Sequence, residues 1–238
     1  MTTTVPGWTT LAENPLVLVR EYAFGPGRAN AVAVGLPNRK LLITSPPAGV
    51  PEADLKALDR CGDVIALLAN NGTHHMGLGP ARRAFPSAVT YAAPRAAARI
   101  RDKGKDFGQL APIETLQSVL GDAVSVFAVD GDKVGDVLVR VRTERGTVLY
   151  ASDFIANIQS LPDNFIFRMI FKLTDSGPGL KVFRIFFKFF VADRKAARDF
   201  LVKEIEANPP AVLVPAHGDV VIQSDLAPTL VGMLRGAF

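Results

Sequence analysis

Residues 64–77, VIALLANNGTHHMG, join an apolar run to a polar loop that carries two of the three histidines of the chain. The run, residues 64–69, is typical of a short strand that is buried on both faces of a sheet. His74 and His75 follow it within six residues. Because a rigid sheet holds the side chains of the loops at its strand ends in a shared cleft, this loop is the first candidate site.

Further along the chain, other potential ligands follow apolar strands in the same way. His217 comes after residues 211–215, AVLVP, and Asp153 comes after residues 147–151, TVLYA. Asp132 lies three residues after Val129, where another predicted strand ends. Imidazole and carboxylate are ligands for zinc and for non-haem iron or manganese. The pattern indicates a metal site, although a single histidine is more often a structural or surface residue than a ligand.

Alternating and helical hydrophobic patterns predict the remaining elements. Strands are predicted at residues 16–24, 31–36, 40–44, 64–69, 88–92, 123–129, 137–142, 147–151 and 211–215. Helices are predicted at residues 51–61, 79–85, 94–101, 113–120, 193–207 and 228–234, with Asp193 as an N-cap. This order favours two sheets with helices outside them.

The strand-and-loop of residues 64–77 resembles the segment that carries the HxHxDH motif of the metallo-β-lactamase fold. Residues 129–135, VDGDKVG, are similar to the GHTxG segment of that family. Residues 150–153, YASD, resemble the strand that ends in its bridging Asp, and residues 215–218, PAHG, resemble its PGHG segment. The resemblance implies an α+β protein, an αβ/βα four-layer sandwich of two mixed β-sheets flanked by helices. It covers nearly the whole chain and implies a single domain over residues 1–238.

The motifs depart from the family pattern on one side of the site. Asn70, Gly72 and Asp132 stand where the family has the three histidines of one metal site, and Ser45 lies near the place of an early Asp. The segment 70–86 resembles a bacterial subgroup of the fold whose HxHxDH motif is incomplete. The absent side chain of Gly72 is expected to leave room for the ring of His74.

On the other side of the site, every ligand position holds a residue that can coordinate a metal. The resemblance implies one metal ion held by His74, His75, Asp153 and His217. Zinc is the first candidate and iron or manganese are alternatives, as is a site that binds no metal. Asp132 is either a base beside the metal or a turn residue of the DGD sequence at residues 130–132.

Two main functions remain open at this point. One is a metal-dependent hydrolase, mononuclear, acting on a small-molecule substrate. The other is a non-catalytic protein of the same fold that acts in binding or protein interaction. An iron-dependent oxidoreductase is a third class, and the expected lack of a flavodoxin-like domain argues against its diiron flavoprotein version.

Residues 165–190 are rich in phenylalanine, interleaved with basic residues. They form the centre of an expected insertion at about residues 160–192, which a TDSGPG sequence at residues 174–179 divides into two amphipathic helices. Three alternatives are open for these helices. They pack over the cleft with their phenylalanines in the core, they form a homodimer interface, or they contact a membrane surface. Each alternative places apolar side chains near the site, so a substrate is expected to have an apolar part.

Composition limits the remaining possibilities. The 238 residues carry a net charge of only +4, and the sequence contains no nucleic-acid module, so we expect no nucleic-acid partner. Cys61 is the single cysteine, which excludes an intramolecular disulfide. The first residues lack the pattern of a signal peptide. A cytoplasmic location is therefore expected.

Overall fold

The computed structural model describes residues 4–24, 27–103 and 107–238. The strands are β1 (Thr9–Glu13), β2 (Leu16–Phe24), β3 (Gly27–Leu36), β4 (Lys40–Thr44), β5 (Asp63–Ala69), β6 (Val89–Ala92), β7 (Leu110–Pro112), β8 (Val124–Ala128), β9 (Val137–Thr143), β10 (Gly146–Tyr150), β11 (Ile155–Ile158), β12 (Gly179–Val182), β13 (Pro210–Val214) and β14 (Val221–Ile222). The helices are α1 (Glu52–Lys56), α2 (Leu78–Ala84), α3 (Pro94–Asp102), α4 (Ile113–Leu120), α5 (Phe165–Leu173), α6 (Arg184–Phe190), α7 (Arg194–Ala207) and α8 (Leu226–Ala237).

The strands form two large mixed sheets. The first has seven strands in the order β1 to β7, antiparallel from β1 to β4 and parallel from β4 to β7. The second has five strands in the order β14-β13-β10-β9-β8, with β10 and β13 parallel and the other pairs antiparallel. A further two-stranded ribbon pairs β11 with β12.

Alternation along the strands separates the core into layers. In β4, Leu42 points to the core between the sheets, whereas its neighbours Leu41 and Ile43 face the outer layer that contains α1 and α2. In β10, Tyr150 belongs to the central core, while Leu149 belongs to the outer layer that contains α6, α7 and α8. Two mixed sheets with helices outside them confirm the predicted four-layer sandwich.

The parallel pairing within each sheet places the candidate residues at one edge. Strand β5 ends at Ala69, which leads into the histidine loop. In the second sheet, Tyr150 at the end of β10 pairs with Val214 at the end of β13, so the segments containing Asp153 and His217 leave the sheet side by side. The carboxyl ends of strands from both sheets therefore meet at the site.

The phenylalanine-rich segment is divided as predicted, but it is not a simple helical hairpin. Strand β12 lies between α5 and α6 and pairs with β11. Helix α6 buries Phe186 and Phe187 in the outer layer of the second sheet, whereas no residue of α5 is buried. The two helices thus have different environments.

Most predicted elements agree with the structure within a few residues, and the side chain of Asp193 caps α7 by accepting a hydrogen bond from the backbone N–H of Ala196. The short strands β1, β7, β11, β12 and β14 were not predicted, because two to five residues give too little periodicity. Among the described residues, no helix is long and apolar enough to cross a membrane.

Candidate metal centre

Three of the four predicted ligands come together at the carboxyl edge of the two sheets. The donor atoms of His74, Asp153 and His217 all lie within 4.8 Å of one another. The Nε2 atom of His74 lies 3.3 Å from Oδ2 of Asp153, and the Nε2 atom of His217 lies 3.1 Å from Oδ1 of the same carboxylate. One carboxylate therefore faces two imidazole nitrogens, one with each oxygen.

Strand β3 of the first sheet holds the loop that carries His217. The Nδ1 atom of His217 is 2.7 Å from the carbonyl oxygen of Arg28, and because a carbonyl can only accept, Nδ1 carries the proton. The buried side chain of Asn30 donates to the carbonyls of Pro215 and Gly218, at 2.9 and 2.7 Å. The ring of His217 is thereby fixed with Nε2 towards Asp153.

A buried polar network orients Asp153 from its other side. The side-chain amide of Asn71 donates to Oδ2 of Asp153 at 2.8 Å and to Oδ1 of Asp136 at 2.9 Å. The Oδ1 atom of Asn71 accepts from the backbone N–H groups of Thr73 and His74, which shapes the histidine loop. The hydroxyl of Ser152 also donates to Asp136. Asn71 thus links the loop after β5 to the carboxylate after β10.

The charges of the cluster favour ionisation of Asp153. Burial opposes the charged form, but the positive charge of His74 and the hydrogen bonds from His217 and His74 lower the pKa of Asp153 below its usual value. For His217, burial likewise opposes the charge, yet the hydrogen bond to Asp153 and its negative charge raise the pKa of this imidazole. Burial and the charge of Asp153 raise the pKa of Asp136 well above its usual value, which favours the neutral carboxyl.

His75 does not join the cluster. It is buried, and its ring packs edge-on against Phe107 with the ring centroids 5.8 Å apart. Adjacent residues of the loop present their side chains in different directions, so the predicted four-ligand set becomes one of three in the described part of the chain.

The possible base Asp132 is a turn residue, the second of its two predicted roles. Its Oδ1 accepts from the backbone N–H groups of Val134 and Gly135, and its Oδ2 accepts from that of Asp136 at 3.0 Å. All these acceptor contacts lie within its own turn. These contacts agree with the turn role, and the role of Asp132 as a base beside a metal stays a prediction.

Asn70, Gly72 and Ser45, which the sequence resemblance singled out as departures from the family pattern, all lie against other protein groups. Asn70 donates to the hydroxyl of Ser152 at 2.9 Å. A Cβ atom at Gly72 would lie 2.7 Å from Cδ of Arg99, so the aliphatic part of Arg99 occupies the space that was expected to serve the ring of His74. Ser45 is buried, and its hydroxyl lies 3.2 Å from that of Tyr22.

Aromatic side chains surround the cluster in a cleft of about 680 Å³. The ring of His217 contacts Phe24 and Phe183, with centroids 5.5 and 5.8 Å apart. The cleft is lined by Tyr22, Phe24, Thr73, His74, Met76, Asp153, Phe167, Phe183, Ile185, Phe186, Phe189, Phe190 and His217. Burial raises the pKa of Tyr22 to about 12, so its hydroxyl is neutral at physiological pH.

The three residues fit a single divalent cation. When His217 is neutral, with its proton on Nδ1, its Nε2 lone pair faces Oδ1 of Asp153, and two acceptors then lie opposite each other without the hydrogen bond that the protonated ring supplies. Two such acceptors 3.1 Å apart require either a proton or a cation between them. Two imidazoles and a carboxylate are also the donor set of catalytic zinc and of mononuclear iron sites, which keep positions open.

The fold and the cluster define the class of structure: the chain has the metallo-β-lactamase fold. No protein-family profile matches the sequence, and no curated protein sequence matches it. Among solved structures, the metallo-β-lactamase DIM-1 superposes with a TM-score of 0.62 at 13% identity, covering 99% of this chain and 100% of that one. A metallo-β-lactamase from Erythrobacter litoralis gives 0.60 at 14% identity, covering 98% and 99%.

A diflavin flavoprotein fragment from Nostoc sp. PCC 7120 is similar to the same extent. Its TM-score is 0.60 at 12% identity, and the match covers 97% of this chain and 96% of the fragment. At such low identity the likeness shows the fold and does not transfer an activity to this chain.

Sequence reasoning did not find the residues that position the cluster. Asn71 and Asn30 are both buried amides that bind groups 82 and more than 180 residues away in the chain. Two consecutive asparagines at the end of an apolar strand were the available signal for Asn71. Asn30 lies between two buried alanines of β3, where a buried polar side chain indicates a specific partner.

Proposed function

We propose that this chain is a metal-dependent hydrolase that holds one divalent cation with His74, Asp153 and His217. Zinc is the first candidate and iron or manganese the alternatives, because the donor set suits each of them. The proposal rests on the orientation of His217, whose protonated Nδ1 is fixed by Arg28 and whose Nε2 faces an oxygen of Asp153.

The three-residue set favours catalysis over a purely structural ion. Structural zinc sites are usually closed by four protein ligands, whereas catalytic sites keep one position for water or substrate. Since His75 packs against Phe107 instead of entering the cluster, a position is left for a reacting group. The cluster is also accessible from the cleft, to whose lining all three residues contribute.

The protein's own groups bind, orient and exclude water. Asn71 and Arg28 fix the carboxylate and the imidazole, so little reorganisation is needed when charge develops. Phe24 and Phe183 lie against His217 and lower the local dielectric. A cation held by the cluster supplies Lewis-acid polarisation of the scissile group. In the overall reaction the oxygen of water bonds to the electrophilic centre, the bond to the leaving group breaks, and the leaving group takes a proton.

A single cation is proposed, since protein contacts fill the opposite half of the site. Asn70 and Ser152 bond to each other, and the stem of Arg99 lies beside Gly72. The three histidine side chains that would hold a second ion are replaced by Asn70, Gly72 and Asp132. A stoichiometry near one metal per chain is therefore expected.

Metal analysis tests the proposal directly. Protein purified without added metal, then loaded with zinc, iron(II) or manganese in turn, should bind about one equivalent, and His217→Ala should weaken binding by at least about 100-fold. His75→Ala is the matched control, because it removes a neighbouring buried imidazole outside the cluster, and it should keep the affinity. Wild-type protein that binds none of the three metals would refute the proposal. Equal loss in both histidine variants would favour the four-ligand set.

Turnover is measured separately, with p-nitrophenyl esters of increasing acyl length as probes. Metal-loaded wild-type protein should hydrolyse them, and the chelator-treated protein and His217→Ala should not.

The second candidate function is a non-catalytic binding protein. It is favoured by the engagement of Asp132 in its own turn, which leaves Asp153 as the one acid in the described lining of the cleft. Metal binding without turnover of any ester or lactam tested would select that alternative.

A further inference from the structure

Helix α5 exposes an apolar stripe that the rest of the chain does not cover. Phe165, Ile166, Met169 and Leu173 are 71%, 67%, 44% and 80% exposed. At about 100° per residue these four positions fall within one sector of about 100° on the helix. We call them the outer stripe. The opposite side of α5 contacts the protein, where Phe171 packs against Phe183 with ring centroids 5.7 Å apart.

A short helix that is apolar on both sides is typically buried on both sides. The protein covers only the inner side of α5, so the outer stripe requires a second apolar environment. Exposed contiguous apolar surface of this kind marks an interaction site in a soluble protein.

Helix α5, which carries the outer stripe, also contributes to the mouth of the cleft that contains the candidate metal cluster. Met76, Phe167 and Phe189 line the cleft and are nevertheless 57%, 51% and 55% exposed, so they form an apolar rim at its mouth. Phe167 belongs to α5 itself, and Phe189 belongs to α6. A surface that covers the outer stripe therefore lies close to the entrance to the site.

The charges around the stripe identify the covering surface. Residues 160–192 contain five basic and two acidic side chains. Arg168, Lys181 and Arg184 have ion-pair partners in Asp163 and Asp175, whereas Lys172 and Lys188 are exposed and have no acidic partner within the described residues. Lysines beside an exposed aromatic stripe match the interfacial region of an anionic bilayer.

A second copy of the chain matches these charges less well. In a two-fold symmetric dimer the same patch lies on both sides of the interface. The unpaired lysines Lys172 and Lys188 would then add positive charge to both sides of the interface, which is unfavourable.

We propose that the outer stripe and the apolar rim dock on an anionic phospholipid surface and that the cleft takes an amphiphilic substrate, with an apolar chain, from it. The docking part depends on α5, α6 and Met76, and not on metal binding by the cluster. The substrate part rests on the proposed hydrolase function. The aromatic lining of the cleft suits an alkyl or acyl chain, while the cluster of His74, Asp153 and His217 receives the polar end.

Co-sedimentation of the full-length protein with vesicles tests the docking. Vesicles of equal parts phosphatidylglycerol and phosphatidylcholine should carry down the wild-type protein, and vesicles of phosphatidylcholine alone should carry down much less. The variant Ile166→Ser/Leu173→Ser should lose binding, and Ile222→Ser, which removes an isoleucine that is 70% exposed on β14, should keep it. Lys172→Gln/Lys188→Gln should weaken binding about 25-fold, while Lys203→Gln on α7 should change it little.

The outcomes separate the possibilities. A wild-type protein that ignores both kinds of vesicle overturns the docking proposal. A dimer in light scattering that the Ile166→Ser/Leu173→Ser variant converts to a monomer, without vesicle binding, overturns it in favour of a second copy. Unchanged circular dichroism is required of every variant. Vesicle binding does not require turnover, so the two proposals can fail separately. If wild type and His217→Ala both bind the vesicles and wild type hydrolyses no ester, the hydrolase proposal is refuted and the docking proposal remains supported.

Discussion

The Nδ1 atom of His217 donates to the carbonyl oxygen of Arg28 at 2.7 Å, across the contact between the two sheets. This bond fixes the tautomer and aims Nε2 at Asp153. A proton and a metal ion therefore compete for the same lone pair, and their competition gives the site a characteristic pH dependence.

The metal-free protein should lose stability as the pH rises through the pKa of His217. Because that pKa is raised in the folded state, the folded protein binds the proton more tightly than the unfolded chain does. The contribution is complete below the ordinary value of about 6.5 and disappears as the pH passes the folded value. The melting temperature of chelator-treated wild type, relative to His217→Gln, should fall as the pH rises above about 6.5 and through the folded-state pKa.

Metal affinity should change in the opposite direction over the same range, because the departing proton frees Nε2. Zinc titrations at several pH values measure this directly. A melting temperature difference that is flat with pH, together with a flat zinc affinity, would show that His217 and Asp153 do not share a proton.

Asn71→Ala should destabilise the protein and weaken metal binding together. The substitution removes the amide that donates to Asp153 and Asp136 and leaves two buried carboxyl groups without that donor. We expect a loss of about 2–4 kcal/mol in the free energy of unfolding, measured by urea denaturation. Metal affinity should fall about 10- to 100-fold. Gln159→Ala, at an exposed position, is the control and should change stability by less than about 0.5 kcal/mol.

The sandwich could be predicted because each diagnostic loop follows an apolar strand, and the strand order along the chain is visible in the sequence. Which of two adjacent histidines enters the cleft could not be predicted in this way. His74 and His75 are neighbours in the loop after β5, and only the position of Phe107 shows where the second ring packs. Asp132 was similarly ambiguous, since a turn aspartate and a catalytic aspartate look alike until their hydrogen bonds are known.

The same limit applies to the phenylalanine-rich segment. Helical periodicity located both helices, and the sequence showed that each has an apolar face. Whether the protein covers that face depends on tertiary packing, which buries Phe187 completely and leaves Phe165 71% exposed. Hydrophobicity alone does not separate these two environments.

Gly218→Ala should be among the more destabilising single substitutions near the site. Gly218 has φ of +94°, and a Cβ there would lie 2.0 Å from the carbonyl oxygen of Asn157. The backbone strain and the clash together should cost about 3 kcal/mol or more and displace the adjacent His217. Gly232→Ala is the matched control, since its Cβ meets nothing within 4 Å and it lies inside α8. That change should stabilise by about 0.5–1 kcal/mol. Equal effects in urea denaturation would contradict the predicted difference.

Two neighbouring phenylalanines of α6 should behave differently when each is replaced by alanine. Phe187 is fully buried, with ring centroids 5.5 Å from Phe154 and 4.7 Å from Phe238, so Phe187→Ala should cost about 3–5 kcal/mol. Phe189 is 55% exposed on the rim, so Phe189→Ala should change the free energy of unfolding by less than about 0.5 kcal/mol.

Although Phe189→Ala should leave stability almost unchanged, it should alter the binding of substrate. Because Phe189 lines the cleft, its loss should raise KM for long-chain p-nitrophenyl esters more than for the acetate ester, with little change in kcat. A uniform change in KM across all chain lengths would mean that the apolar chain does not lie against Phe189. It would then have to lie against the inner aromatic residues, Phe24 and Phe183, which contact His217 directly.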